Sequence, residues 1–148
     1  MSNYPVWWDT TVTVYNKHTD PITQLITWYR HTISGCFWQN VHDKVTLGDT
    51  VLETDKIICR IRETNLFKEK YVWVNLPADV KENFFTLGQE DIIVKGEVTD
   101  EINEYASGHR SSDLLAKYKE LQGCFEIQVV SVNVGPGRGT PHYRAQGV

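Results

Sequence analysis

The residue types that usually carry enzyme chemistry are all present in this chain, but their spacing forms no catalytic motif. A hydrolase of the triad type needs a nucleophile beside a base, often on a sharp elbow, and the sequence contains no Gly-x-Ser-x-Gly segment. No two histidines are three or four residues apart, the spacing that places two metal ligands on one helix face. The histidines are His18, His31, His42, His109 and His142. We therefore expect no catalytic residues, no metal site and no cofactor, and a protein that is not an enzyme.

Acidic residues are the next candidates for chemistry, and they occur in two clusters. Glu90 and Asp91 form the first cluster, and Asp100 and Glu101 with Glu104 form the second. Two carboxyl groups held together can act as a general acid and a general base. Turns and strand ends favour acidic residues for other reasons, so we interpret both clusters as solvated loops.

A polar, glycine-rich segment closes the sequence. Residues 135–139 read Gly-Pro-Gly-Arg-Gly, but they lack the Lys-Ser/Thr ending and the following helix of a phosphate-binding loop. Residues 135–148 have too little apolar surface to bury on their own. We therefore predict a single domain over residues 1–134 and an extended C-terminal arm over residues 135–148.

Length and composition fit one soluble domain. The chain has 148 residues and a net charge of −4, and its basic residues are spread along the sequence instead of forming the basic face that non-specific DNA binding needs. Cys36, Cys59 and Cys124 are odd in number, far apart and beside apolar residues, which predicts buried thiols. No signal-peptide pattern or membrane-length apolar run is present, so we expect synthesis in a reducing cytoplasm.

The elements that must position these residues are mostly strands. Alternating polar and apolar residues predict strands over 10–15, 22–30 and 32–39, with a bend at Ser34-Gly35. Later strand-like runs are 44–47 and 50–53 around a turn at Gly48-Asp49, then 56–62, 71–75, 92–98 and 124–134, the last with a shift near Val129-Val130. In residues 56–62, Arg60 and Arg62 form a basic outer face.

Helical spacing is clear in one segment only. Ser111 or Ser112 can cap a helix there, Asp113 suits its first turn, and Gly123 suits its exit. A single helical turn is also expected over 79–83. With roughly eight strands, the sequence predicts a mainly β protein, a small antiparallel β-barrel or sandwich with one short α-helix and extended termini.

The five tryptophans divide into two groups. Trp28, Trp38 and Trp73 lie in predicted strands, where packing into the core is the expected role. Trp7 and Trp8 lie close to the N-terminus and fit either the core or a docking contact with a neighbouring molecule.

Several segments, in matching order along nearly the whole chain, resemble small virion proteins of the tailed phages and prophages of Firmicutes. They are TTVTVYN at 10–16, ITWYR at 26–30, GCFW at 35–38, LGQEDIIVKGEV at 87–98, EINEY at 101–105 and SSDLLAKYK at 111–119. The DIIVKG pattern is also similar to a strand of small β-barrel head-closure proteins.

The resemblance implies a structural role in the neck of the virion. Genes of this kind lie in the head–tail joining module, and a head-closure ring subunit would contact a portal or adaptor protein on one side and a tail-completion or tail-terminator protein on the other. DNA would pass the channel without sequence-specific binding, and no membrane contact is expected. The interface candidates are Trp7, Trp8, Asp100, Glu101, Glu104, Tyr105, His109, Arg110, Arg138, His142, Tyr143 and Arg144.

Other functions stay open at the level of the sequence. A tail-completion or tail-tube protein would also be rich in strands and would form rings. Outside the virion, a small carbohydrate- or receptor-binding module would use exposed aromatic residues, and a small hydrolase would need a convergent polar pocket.

Overall fold

The part of the chain that the structure describes contains six strands and three short helices, joined by turns and loops. This computed structural model describes residues 4–137 and 139–148, without the side chains of residues 43, 45 and 52–54. The strands are β1 (Thr10–Thr19), β2 (Ile26–Leu47), β3 (Thr50–Arg62), β4 (Ile92–Lys95), β5 (Cys124–Asn133) and β6 (His142–Gly147). The helices are α1 (Lys70–Trp73), α2 (Ala78–Lys81) and α3 (Ser111–Leu121).

The strands close into one antiparallel barrel in the order β1-β2-β3-β6-β5-β4. β2 serves two neighbours, because its first half pairs with β1 and its second half pairs with β3. Between the halves β2 contains one extra residue relative to β1, and Gly35 has a φ of 71°. A positive φ favours glycine, so this is the bend predicted at Ser34-Gly35. Of the two predicted architectures, the barrel is confirmed.

Two other local predictions about the strands are confirmed and one is shortened. Gly48-Asp49 forms the two-residue loop between β2 and β3. The predicted shift near Val129 is a register shift of β5 against β6. β4 ends at Lys95, earlier than the predicted 92–98 strand, because Gly96 turns the chain with a φ of 98°.

Alternation along the strands divides the apolar side chains between two layers. Val12 and Val14 of β1 point into the barrel, where they pack with residues of the other five strands. Tyr15 points out of the barrel into a second cluster beneath α3, which contributes Leu114 and Tyr118. The three cysteines are buried and free, as predicted. One outer face of the barrel is therefore covered by α3 and the segment before it.

The helices correct the sequence prediction in two places. α3 confirms the predicted helix, but Arg110 stands at its cap, and its backbone N–H donates to Asp113 Oδ2 at 3.1 Å. The predicted strand over 71–75 is wrong. A strand would put Tyr71 and Trp73 on the same face, whereas Tyr71 is 69% exposed and Trp73 is fully buried, because the segment turns as α1. The turn predicted over 79–83 is confirmed as α2.

The predicted C-terminal arm is corrected by the structure. Residues 142–147 are β6, which pairs with β3 on one side and with β5 on the other and so closes the barrel. Tyr143 and Ala145 point into the core. At Gly147 a β-carbon would lie against the carbonyl oxygen of Glu126 and the ring of Phe125. The domain therefore extends past residue 134, and its last strand is part of the core.

Asp91 is a buried carboxylate that links several elements. The sequence placed it in a solvated loop, but it is fully buried just before β4. Its oxygens accept hydrogen bonds from the backbone N–H of Lys17 at 2.8 Å, from Asn16 Nδ2 at 3.1 Å and from Lys70 Nζ at 3.0 Å. Burial raises the pKa of Asp91 above its ordinary value, although the Lys70 ammonium and the hydrogen bonds act to lower it.

We predict that Lys70→Met lowers the free energy of unfolding by about 2–4 kcal/mol at neutral pH, because a buried carboxylate loses its cation. A folded-state pKa above the unfolded value means that ionisation of Asp91 costs stability as the pH rises through that folded pKa. Removal of Lys70 raises the pKa of Asp91 further. The stability lost in Lys70→Met should therefore grow as the pH rises from below 3.8, the ordinary pKa of an aspartate.

Urea unfolding at several pH values checks this prediction. Lys119→Met, which removes an exposed lysine of α3, is the matched control and should change stability little at any pH. A loss for Lys70→Met that is the same at acid and neutral pH would contradict the assigned role of Asp91.

We also predict that deletion of residues 135–148 prevents folding, because it removes β6 and opens the barrel between β3 and β5. An extended arm would instead be dispensable for the fold.

Gly147→Ala tests the packing of β6 against β5 by a smaller change and should lower the free energy of unfolding by about 1–3 kcal/mol through overpacking. Val148→Ala, which trims the exposed next residue, is the control. Circular dichroism and thermal unfolding measure both effects, and a cooperatively folded truncated protein would refute the prediction.

Candidate interaction surfaces

A cleft between α3 and the segment before it contains four of the residues selected from the sequence. Asp100, Glu101, His109 and Arg110 all line this cleft, which has a volume of about 470 Å³. Lys117 of α3 forms part of the opposite wall. We call this surface, lined by these five residues, the α3 cleft.

The α3 cleft is held against the barrel by hydrogen bonds to the loop backbone. The hydroxyl group of Tyr15 donates to the carbonyl oxygen of Asp100 at 2.6 Å. Arg30 of β2 donates to the carbonyl oxygen of Val98 at 2.9 Å and pairs with Glu101 at 2.9 Å. The Lys117 ammonium donates to Asp100 Oδ2 at 2.9 Å, and this hydrogen bond lowers the pKa of Asp100. Lys117 and Arg30 thus already partly neutralise the carboxylates of Asp100 and Glu101.

Two further predicted residues extend the α3 cleft toward β2. Glu104 Oε1 accepts hydrogen bonds from Trp28 Nε1 at 3.1 Å and from the backbone N–H of Ser111 at 3.0 Å. The hydroxyl oxygen of Tyr105 accepts from the backbone N–H of Ile26 at 2.9 Å, and its side chain is 60% exposed. The loop therefore presents a rigid aromatic side chain to solvent beside the cleft.

A second surface lies on the outer face of β3 and β6, where the N-terminal segment packs. The ring of Trp8 lies 5.8 Å from that of His142 and 6.1 Å from that of Phe37. Arg62 Nη2 donates to the carbonyl oxygen of Trp8 at 2.9 Å. Trp8 is buried by these contacts, whereas Trp7 is 62% exposed. We call this surface the β3–β6 face.

Two arginines lie directly opposite each other on the β3–β6 face. Arg60 and Arg144 are cross-strand partners, and within the described part of the chain neither guanidinium is within salt-bridge distance of a carboxylate. Burial, together with the charge of Arg144, lowers the pKa of Arg60. Arg144 Nε is buried and has no hydrogen-bond partner among the described residues. Like charges at opposed positions destabilise a sheet, so this pair favours an anionic partner. The basic outer face expected of 56–62 is present here.

A third feature is a two-stranded ribbon that continues past the barrel. Residues 41–47 pair with residues 50–56, and no third strand pairs with either in the described residues. Leu47 and Val51 near its tip are 61% and 57% exposed. A pair of strands alone is marginally stable and leaves the backbone N–H and C=O groups of both edges available for another strand.

The predicted interface residues fall on opposite sides of the barrel. The cluster beneath α3 is centred on β4, with members from its neighbours β1 and β5, and β4 lies three strands away from β3 in the closed strand order. Trp8, which fitted either the core or a docking contact, is buried at 7% exposure. One prediction is corrected: Tyr143 is a core residue at 5% exposure, because alternation along β6 turns it inward while His142 and Arg144 face outward. Arg138 lies outside the described residues.

Sequence reasoning missed Lys81, which the structure buries beside Trp73. Its residue type and its short helix give no signal of burial, because its surroundings come from segments distant in sequence. Among the described residues, no group of three or more His, Cys, Asp or Glu side chains is arranged to hold a metal ion. None of the described helices has the length and apolar character needed to cross a membrane.

Comparison with known proteins places the chain in one family. No curated protein and no solved structure matches it. The sequence profile of a family of unknown function, DUF6751, matches residues 7–148, which is nearly the whole chain and includes every strand of the barrel. The protein therefore belongs to the DUF6751 family.

Proposed function

We propose that this protein is a structural subunit of the neck of a tailed-phage particle, where copies form the head-closure ring between the portal side and the tail. The observation that carries the proposal is the presence of two chemically different surfaces, the α3 cleft and the β3–β6 face, on opposite sides of one small barrel. Head-to-tail contacts in a ring join two different surfaces of each subunit, so a ring subunit needs this arrangement.

The chemistry of the two surfaces supports contact between neighbouring copies. The α3 cleft presents the carboxylates of Asp100 and Glu101 beside the exposed ring of Tyr105. The β3–β6 face presents Arg60 and Arg144, which have no carboxylate partner among the described residues, and the exposed Trp7 is the sequence neighbour of Trp8, which packs there. Aromatic residues and arginines are the side chains that most often dominate the binding energy of protein interfaces.

The ribbon offers a means of adding a strand from a neighbouring molecule. Each strand of the barrel has two neighbouring strands, although β2 pairs with β1 over its first half and with β3 over its second half, so the edges of the barrel are at least partly paired. Residues 41–47 and 50–56 retain free edges, so an adjacent subunit or a neck partner can add a strand there. The net charge of −4 also disfavours retention of DNA that passes through a channel.

Deletion of the gene from its phage tests the proposal. We expect separate tails beside heads that leak or fail to retain DNA when the lysate is viewed by negative-stain electron microscopy. Full heads without tails would assign the protein to tail assembly instead. Normal particles at normal yield would refute a virion role and favour the binding-module and hydrolase alternatives.

Replacement of residues 44–53 by Asn-Gly should leave the barrel folded but strongly reduce assembly. The change joins residue 43 to residue 54, which are paired, through a two-residue loop of the type that already connects β2 and β3. It removes free edges without touching the barrel core. We expect the midpoint of thermal unfolding to change by no more than a few degrees, about the shift of a 1 kcal/mol effect.

Complementation of the gene deletion measures the effect on assembly. The variant should lower the yield of infectious particles at least tenfold, whereas Tyr71→Ala, a truncation of an exposed side chain on α1, should complement normally. Normal complementation by the shortened ribbon would exclude the ribbon from assembly and would leave the two faces of the barrel as the contacts to test.

A further inference from the structure

Lys81 is a nearly buried cation without a carboxylate partner. Its residue is 3% exposed, and no acidic side chain of the described chain is within salt-bridge distance of its ammonium. Lys81 Nζ lies 3.3 Å from the carbonyl oxygen of Val74 and 3.2 Å from His18 Nδ1. It also lies 5.1 Å from the centre of the Trp73 ring and 5.8 Å from that of Tyr29.

The neighbouring Lys70 shows what Lys81 lacks. Lys70 Nζ lies over the same Trp73 ring at 5.2 Å, but it is also bonded to the carboxylate of Asp91 at 3.0 Å. Burial of an ammonium without an anion is costly, and the contacts of Lys81 with a carbonyl group, an imidazole and two rings compensate only in part. Burial and the charge of Lys70 lower the pKa of Lys81, which is the expected sign for a cation whose charge is incompletely compensated.

The side chain of Lys81 lines an open cleft of about 510 Å³. The cleft lies between the β1–β2 turn and the α1–α2 region, and it is within the size range of small-molecule sites. Leu25 and Leu76 contribute apolar walls, and Tyr29 reaches the cleft with a hydroxyl group that has no hydrogen-bond partner among the described residues. The cleft therefore combines the cation of Lys81, hydroxyl groups that include that of Tyr29, and an apolar surface.

We propose that this cleft binds a small monocarboxylate with an apolar body, its carboxylate at Lys81 Nζ and its body against Leu25 and Leu76. A single negative charge fits better than a dianion because Asp20 also lines the cleft. Two backbone N–H groups, those of Thr23 and Ile22, bond Asp20 and lower its pKa, so it is ionised and repels excess negative charge. This site is independent of the neck assignment.

Titration of the isotope-labelled full-length protein with 3-phenylpropanoate tests the site by nuclear magnetic resonance. The reporter is the indole N–H of Trp73, which donates to the carbonyl oxygen of Phe84 at 3.1 Å and lies beneath both lysines. We expect the Trp73 indole resonance to shift saturably with a Kd on the order of 1 mM, because the complex would contain one ion pair and a small apolar contact. The uncharged 3-phenylpropanol should produce no saturable shift, and inorganic phosphate should bind at least tenfold more weakly.

Variants separate the role of Lys81 from general effects of charge. Lys81→Met should weaken binding at least tenfold, whereas Lys95→Met, which removes an exposed lysine of β4, should leave it unchanged. If Lys81→Met does not fold, the comparison of 3-phenylpropanoate with 3-phenylpropanol in the wild-type protein still tests whether binding requires the carboxylate. Equal shifts by acid and alcohol, tighter binding of phosphate, or no saturation by about 20 mM would each overturn the proposal.

Discussion

The buried carboxylate of Asp91 is the constraint on which the arrangement of one side of this barrel depends. It binds the β1 backbone at Lys17, the side chain of Asn16 and the ammonium of Lys70. Asn16 in turn bonds the backbone of Thr86 in both directions. One buried charge thus fixes β1, the entry to β4, α1 and the loop before β4 relative to each other. Because breaking a buried ion pair is costly, these elements move as one unit.

The position of α1 then determines the chemistry around it. With Lys70 held by Asp91, Trp73 is fully buried, and its ring is approached by Lys70 from one α-helix and by Lys81 from the next. Among the described residues, only Lys70 of these two cations has an anionic partner. The cleft beside Lys81 is therefore a consequence of the same interaction that fixes the fold, and the stability of the fold and the geometry of the cleft cannot be altered independently at Asp91.

Sequence patterns correctly predicted those parts of the molecule whose structure is determined by residues that are neighbours in the sequence. Period-2 alternation gave β1, the glycine at position 35 gave the bend in β2, and helical spacing gave α3. Four of the five residues that define the α3 cleft were selected from the sequence, where they lie close together, whereas Lys117 was not selected. The predictions that were wrong concern elements whose positions depend on contacts between segments distant in sequence. Strand β6 has small residues such as Ala145 and Gly147 because Phe125 fills the space beside Gly147, so the sequence of β6 shows little apolar patterning. Asp91 and Lys81 were missed for the same reason, since many of the side chains that surround them come from segments distant in sequence.

Closure of the barrel and extension of the ribbon have opposite consequences for association. Closure gives every strand two neighbouring strands, which reduces the edges through which β proteins aggregate. The ribbon keeps its edges, but charged residues line it, and an exposed pair, His42 Nδ1 with Asp55 Oδ1 at 2.6 Å, spans its base. Charges on an edge strand discourage pairing with any strand that does not match them. We therefore expect the ribbon to pair with a partner whose strand and charges fit, which is the selectivity that the proposed ring assembly would require.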